Sequence, residues 1–121
     1  MNTNHTVDEY AVRLSMVKPV EHRNDLSMAG LVGADLSGSD LSYVDMSFAA
    51  LSGADLTGAY LIHTDLTGAD LSRANLTDTN LSKANLDSAD LSHADLSHAN
   101  LTGATWDEDT RWPEGFTPPA S

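Results

Sequence analysis

The stretch ADLTGAYLIHTDLTGADLSR, residues 54–73, contains four successive copies of one five-residue pattern. Each copy has a small residue two positions before a Leu, so that Leu56, Leu61, Leu66 and Leu71 are spaced by five. Outward from this stretch, a large apolar residue occupies every fifth position from Leu26 to Trp106, seventeen times without a slip. We take the repeated tract to span residues 24–108.

A period of five fits neither regular element. On an α-helix, five residues turn about 500°, so the Leu side chains would form no stripe. On a flat strand, an odd step places successive Leu side chains on opposite faces. A short extended piece followed by a bend in every repeat satisfies the pattern. If each bend is roughly a right angle, four such repeats close one square coil of twenty residues. Gly at the bend, as in Gly33 or Gly58, suits this geometry because Gly tolerates left-handed backbone.

Three runs make the pattern specific: Ala54-Asp55-Leu56-Thr57-Gly58, Ala69-Asp70-Leu71-Ser72-Arg73 and Ala89-Asp90-Leu91-Ser92-His93. They resemble the A-(D/N)-L-x-x repeats of the pentapeptide repeat family, and the resemblance covers 85 of the 121 residues. It implies an all-β fold, a right-handed quadrilateral β-helix. The repeated tract is long enough for about four coils, with N- and C-terminal caps at its open ends.

The segments outside the tract are predicted to be these caps. Residues 1–23 form the N-terminal cap segment, in which the capping-box pattern and apolar spacing of residues 6–17 favour a helix. The alternating Tyr10, Val12, Leu14 and Met16 support a strand instead. In either conformation this segment covers the first coil or serves as a dimerisation element. Residues 109–121 form a Pro-rich aromatic cap whose rings, with Trp106, replace the missing next layer of Leu.

The charge balance excludes several functions. The chain has 6 Lys and Arg against 18 Asp and Glu, a formal net charge of −12, which argues against direct nucleic-acid binding and against an anionic membrane surface. It has no Cys, and no nucleophile-elbow, Walker or dinucleotide-binding motif occurs. We therefore expect no enzyme activity, no cofactor and no metal site. The first residues lack the pattern of a secretory signal, so we expect a cytoplasmic protein.

Asp or Asn usually precedes the core Leu, and residues twenty apart stack. Asp25, Asp45 and Asp65 thus form one column of carboxylates. The favoured interpretation is that these side chains accept hydrogen bonds from backbone N–H groups in the bends. A weak divalent-cation ladder and a charged face for a basic partner are the alternatives.

The outward positions depart from the repeat in one region. The coil geometry brings Tyr43, Tyr60, Ile62 and His63 to one face, and Phe48, below Met28, to the next bend. We expect a contiguous apolar and aromatic patch, and such patches usually mark an interface. The alternatives are that the N-terminal segment covers this patch or that it forms a homodimer.

The sequence therefore predicts a non-catalytic protein-interaction or scaffold protein whose partner is unknown. The family resemblance implies an alternative, a DNA-mimicking protein that binds a type II topoisomerase such as gyrase. The repeated tract contains 13 acidic and 2 basic residues, which is close to the charge of a DNA duplex of the same length.

Overall fold

A computed structural model describes residues 24–119, which form a right-handed quadrilateral β-helix, as the family resemblance implies. The chain completes one coil every twenty residues, and parallel bridges join each coil to the next. Each side of the square contributes one bridging residue per coil rather than a longer strand, because a turn follows every fifth residue. The N-terminal cap predicted for residues 1–23, including the helix over residues 6–17, lies outside the described residues.

The four sides are named by their columns of bridging residues. Side 1 carries Asp25, Asp45, Asp65, Asn85 and Thr105; side 2 carries Gly30, Ala50, Asp70, Asp90 and Arg111; side 3 carries Asp35, Asp55, Asn75 and Asp95; side 4 carries Asp40, Tyr60, Asn80 and Asn100. Corner 1 follows side 1, and corners 2, 3 and 4 follow in chain order. Corner 4 therefore joins side 4 to side 1 of the next coil.

The interior is a ladder of the residues that repeat every five positions. From Leu36 to Leu91 these side chains are fully buried, with Met46 in place of Leu at one position. Burial of each stabilises the fold by about 2 kcal/mol relative to exposure. Three Thr replace the small residue of the repeat, and their buried hydroxyls donate to Leu carbonyls: Thr64, Thr79 and Thr110 at 2.8, 2.9 and 2.8 Å.

The repeat also pairs every backbone N–H of a typical copy, as residues 54–58 show. The N–H groups of Leu56 and Gly58 donate to the following coil at 2.8 and 2.9 Å, and that of Asp55 donates to the preceding coil at 2.9 Å. The Ala54 N–H closes the previous turn at 3.0 Å. The remaining N–H, that of Thr57, donates to Oδ1 of Asp55 at 3.0 Å. A typical repeat therefore leaves one backbone donor that the coil does not pair, and the side chain at the Asp position accepts it.

The C-terminal end closes with aromatic rings. The register shifts by one residue there, because Asp90 bridges Arg111 rather than the residue twenty positions on. Trp106, Trp112 and Phe116 pack against the core. The ring centroids of the two Trp lie 5.4 Å apart in an edge contact, and Phe116 stacks on Trp112 at 5.3 Å. Within residues 24–119, no helix is long and apolar enough to cross a membrane.

Candidate functional site

The corners of the coil hold their outermost residue in left-handed backbone. Gly occupies six of these positions, as the sequence predicts for a bend, and ten other residues adopt the same conformation. Tyr43, Phe48 and His63 are among the ten, with φ of 66°, 58° and 56°. A bulky residue rarely adopts positive φ. The corner therefore directs these rings away from the core at an energetic cost to the backbone.

Corner 4 carries a stack of side chains along the coil axis. The rings of Tyr43 and His63 are stacked with centroids 5.0 Å apart and planes 21° apart. Tyr43 is 67% exposed, and His63 is also exposed. Lys83 continues the column, and its Cγ lies 3.1 Å from the position that a Cβ of Gly103 would occupy. The column thus changes from aromatic rings to a Lys side chain along the axis.

Tyr60 and Ile62 lie on the adjoining side 4, where both replace repeat residues. Tyr60 takes the position of the Asp or Asn acceptor and is 50% exposed. The Ile62 N–H that this acceptor would have bound donates instead to Oγ of Ser42, in the preceding coil, at 3.3 Å. Ile62 itself is half-buried. An aromatic residue here therefore replaces the Asp-mediated hydrogen bond of the repeat with a longer one.

Corner 1 carries the second aromatic position. Phe48 is 63% exposed, and its ring lies against the turn of the next coil, where a Cβ added at Gly68 would collide with it. Met28 precedes Phe48 in the same column and is 77% exposed. Corner 1 therefore presents a second apolar column along the axis.

The predicted patch is not contiguous, because side 1 separates the two columns. Asp45 follows Tyr43 by two residues and precedes Phe48 by three, and its exposed carboxylate lies between corners 4 and 1. Asp65 continues the carboxylate column in the next coil. The structure thus divides the predicted patch into two apolar columns with carboxylates between them.

Sequence reasoning missed an extension of the apolar surface onto side 2. Val32 is 67% exposed and takes the place of the usual Ser or Thr. Gly30 and Ala50 stand where the repeat calls for Asp or Asn. This double departure from the repeat is the signal that could have indicated the extension.

The aspartates of the coil act as turn acceptors, as the favoured interpretation predicts. In thirteen repeats, Oδ1 of the Asp or Asn before the core residue accepts the N–H two positions later. Hydrogen bonds from the hydroxyl and N–H of Ser37 lower the pKa of Asp35, and those of Ser97 lower the pKa of Asp95. Burial opposes the same effect at Asp90, but its bonds from Ser92 and the nearby Arg111 prevail and lower its pKa.

The titratable side chains of the described residues are dispersed over the four sides and corners of the coil. Among residues 24–119, no group of three or more His, Asp or Glu side chains is placed to hold a metal ion. His93 and His98 lie on corners 2 and 3, so they do not share a column. An open groove of about 530 Å³ lies between residues 94–97 and 113–116, with Asp95 and Glu114 as its charged side chains.

Comparison with known proteins identifies the repeat. The model of the family described as pentapeptide repeats matches residues 25–58, 54–92 and 69–105, with 8 copies. The chain is similar to the crystal structure of a pentapeptide repeat protein from Nostoc PCC 7120, with 38% identity and a TM-score of 0.83 over 97% of this chain and 93% of that one. No curated protein matches the chain.

Two further solved structures show the same likeness. A pentapeptide repeat protein from the thylakoid lumen of Arabidopsis thaliana is 33% identical, with a TM-score of 0.68 over 69% of this chain and 58% of that one. A pentapeptide repeat protein from the cyanobacterium Cyanothece 51142 is 40% identical, with a TM-score of 0.51 over 79% of this chain and 66% of that one. These likenesses concern the fold and the family.

Proposed function

This chain belongs to the pentapeptide repeat family, and we propose that it is a non-catalytic protein-interaction module. Its binding face comprises Tyr43, Phe48, Tyr60, Ile62 and His63. The observation that carries the proposal is the exposure of two rings, Tyr43 and Phe48, at positions of positive φ. Neither the backbone nor the core accounts for rings at these positions.

The energetics favour binding over a structural role. A residue other than Gly in left-handed backbone costs about 1–2 kcal/mol, and Gly at six equivalent corners avoids this cost. An exposed ring recovers little of that cost through burial within the chain. Large aromatic side chains are, by contrast, the residues that contribute most to the centre of protein interfaces. We therefore infer that the rings contact another molecule.

Equivalent positions in later coils supply the substitutions for an experiment that tests the binding face. Tyr43→Gly, Phe48→Gly, Tyr60→Asn and Ile62→Ser introduce the residues found one or three coils later in the same columns, at Gly103, Gly68, Asn80 and Ser82. We call this fourfold variant the reverted face. His93→Gly with His98→Gly is the matched control, because it makes the same kind of replacement at corners 2 and 3.

Cross-linking of each form in the native cell, followed by mass spectrometry, tests the proposal. We expect partners captured by the wild type and by the control but not by the reverted face. Binding measured with the purified partner should then be at least about tenfold weaker for the reverted face. Identical captured sets and equal affinities for all three forms would show that this face is not the binding site.

A homodimer is the case in which the partner is a second copy. Light scattering distinguishes it: the wild type would have twice the mass of the reverted face at the same concentration. If the wild type and the reverted face both have the mass of a monomer, the partner of this face is a different protein.

A DNA-mimicking topoisomerase ligand is the second candidate, and the charge distribution favours it. Asp residues occupy three coils of side 1 and three of the opposite side 3, and residues 24–108 contain 13 acids against 2 bases. Asn makes the same turn hydrogen bond, so the turn does not require the charge. Supercoiling by purified gyrase tests this candidate: inhibition that is lost on Asp→Asn replacement supports it, and an unchanged supercoiling rate excludes that enzyme.

A further inference from the structure

We infer that the partner of this face is a basic amphipathic segment whose Lys or Arg side chains bind Asp45 and Asp65 between the rings of Tyr43 and Phe48. The inference rests on the proposed function and adds the chemistry of the partner to it. It follows from the arrangement of side 1 and its two corners, in which carboxylates lie between two aromatic columns.

The rings of Tyr43 and Phe48 flank side 1 at its two corners. The Tyr43 ring lies over His63, and the Phe48 ring lies over Gly68, so both extend along the axis toward the coil that contains Asp65. About three extended residues separate the two corners, which corresponds to a width of about 10 Å. This width admits one peptide segment that lies along the axis.

The carboxylates between these rings keep one oxygen for a partner. Oδ1 of Asp45 accepts from the N–H and the hydroxyl of Ser47 at 2.9 and 2.6 Å. Oδ1 of Asp65 accepts the Thr67 N–H at 3.0 Å. In the part of the chain that the structure describes, no Lys or Arg pairs with either carboxylate, and Oδ2 of both accepts no hydrogen bond.

The negative charge of these two residues is not required by the fold. Asn85 occupies the same column one coil later and accepts the equivalent N–H at 2.9 Å without a charge. Stacked carboxylates about 4.8 Å apart repel each other. The column therefore retains charge where an amide would hold the turn without repulsion, and a cationic partner would relieve that repulsion.

Complementarity selects a basic partner over an apolar or acidic one. An apolar surface placed on both rings would bury the intervening carboxylates without a counter-charge, which is strongly unfavourable. Cationic side chains would pair with them, and the flanking rings would add cation–π contacts, which Arg makes more often than Lys. The axial spacing of about 4.8 Å is close to the 5–6 Å between Cβ atoms at positions i and i+4 of a helix. A helix with Lys or Arg at i and i+4, flanked by apolar residues, matches the face.

Fluorescence anisotropy with the full-length protein tests the inference. The probe is a labelled synthetic helix-forming peptide with Lys at i and i+4 flanked by Leu, and its matched control carries Glu in place of Lys. Binding is measured at about 50 and 200 mM salt, since pairing of exposed charges weakens as salt increases. The decisive variant is Asp45→Asn with Asp65→Asn, and Asp35→Asn with Asp55→Asn on side 3 is its control.

We expect the side 1 variant to bind the Lys peptide about tenfold more weakly than the wild type at the lower salt. The side 3 control should bind within about twofold of the wild type, and the Glu peptide should not bind. Equal weakening in both Asn variants would indicate non-specific attraction to an acidic protein and overturn the inference. Unchanged binding in the side 1 variant would overturn it as well.

A further variant, Tyr43→Gly with Phe48→Gly, separates this inference from the proposed function. If the ring variant fails to bind the partner captured in cells and the side 1 variant binds it normally, the proposed binding face is supported and the inference of a basic partner is wrong. If both variants bind that partner normally, both ideas fail. Peptide binding that appears only after Arg13→Glu and Lys18→Glu would make the chain's own first segment the occupant and overturn the inference of a separate partner.

Discussion

Asp65 illustrates what the polar position of each repeat contributes to the coil. Its Oδ1 accepts the Thr67 N–H, the donor that the backbone hydrogen bonds between coils leave unpaired. The same position is Asn85 in the next coil, and the hydrogen bond is unchanged. The turn therefore requires an oxygen acceptor and not a charge at this position. The turn does not account for the prevalence of Asp over Asn in the coils nearer the N-terminus, which affects only the charge of the surface.

Asp65→Ala and Asp65→Asn separate the acceptor from the charge. We expect Asp65→Ala to lower the free energy of unfolding by about 1 kcal/mol, because the Thr67 N–H loses its acceptor. Asp65→Asn should change it by only a few tenths of a kcal/mol. Urea unfolding followed by circular dichroism measures both. An equal loss in the two variants would show that the charge, rather than the oxygen, holds the turn.

The lowered pKa values of Asp35 and Asp95 predict acid sensitivity. Each carboxyl has a lower pKa in the folded chain than in the unfolded chain. The stabilisation is therefore present above the ordinary Asp pKa of about 3.9 and is lost as the pH falls through the lower folded value.

Asp35→Asn with Asp95→Asn keeps both acceptor oxygens but removes both titrations. We expect its Tm to fall less steeply than that of the wild type between about pH 4 and pH 2. Thermal unfolding over this range measures the difference. Curves that fall in parallel would mean that these carboxyls do not contribute to the acid response.

The turn is the element that positions the candidate face. Leu closes each turn through its carbonyl, and the residue before the next Ala has positive φ, as at Phe48, where the Ala49 N–H donates to Met46 at 3.1 Å. Every corner of the four complete coils repeats this conformation. The corner column is therefore where the sequence varies without altering the coil, and the outward side chains there determine the surface.

Gly68→Ala and Gly58→Ala separate the backbone cost from the Phe48 contact. Both Gly have φ near 68°, but a Cβ at Gly58 meets open space, whereas one at Gly68 meets the Phe48 ring. We expect Gly58→Ala to cost about 1 kcal/mol and Gly68→Ala to cost more. Adding Phe48→Gly should remove the excess. If the two Ala variants are equally stable, Phe48 does not rest on this turn.

The sequence predicted the coil and only part of the face. Leu at every fifth position fixes which residues stack twenty apart, so the columns that contain Tyr43, Tyr60 and Phe48 followed directly. Their division by Asp45 did not, because the prediction grouped outward residues by coil without placing each side between its two corners. Arg111 shows a second limit: the one-residue shift of register depends on how the turn after Trp106 closes, through the Thr110 N–H and the Asp107 carbonyl.

The whole molecule is a one-dimensional stack, so its stability depends on how its ends are covered. Each coil contacts only its neighbours, and an uncovered end frays or associates with another end. At the C-terminal end, Trp112 contacts both Trp106 and Phe116 and packs on the core. This ring is therefore the centre of the C-terminal cover.

Trp112→Ala should loosen that end first. We expect the free energy of unfolding to fall by about 2–3 kcal/mol, because removal of the half-buried ring exposes the last layer of Leu to water. Hydrogen exchange should accelerate most at the Leu91 N–H, which donates to the Arg111 carbonyl at 2.7 Å, and least at the Leu56 N–H. Trp112→Phe is the control and should stay close to the wild type. Uniform acceleration along the coil would contradict a stack that unfolds from its end.

We propose that Tyr43, Phe48, Tyr60 and Ile62 serve binding and not folding, and the stability of the reverted face distinguishes these two roles. The replacements remove positive φ from two bulky residues and restore the Asn acceptor for the N–H at position 62. We expect Tm and the free energy of unfolding in urea to equal or exceed those of the wild type, by up to about 1–2 kcal/mol. A loss of stability beyond about 1 kcal/mol would contradict it, because the rings would then be part of the fold.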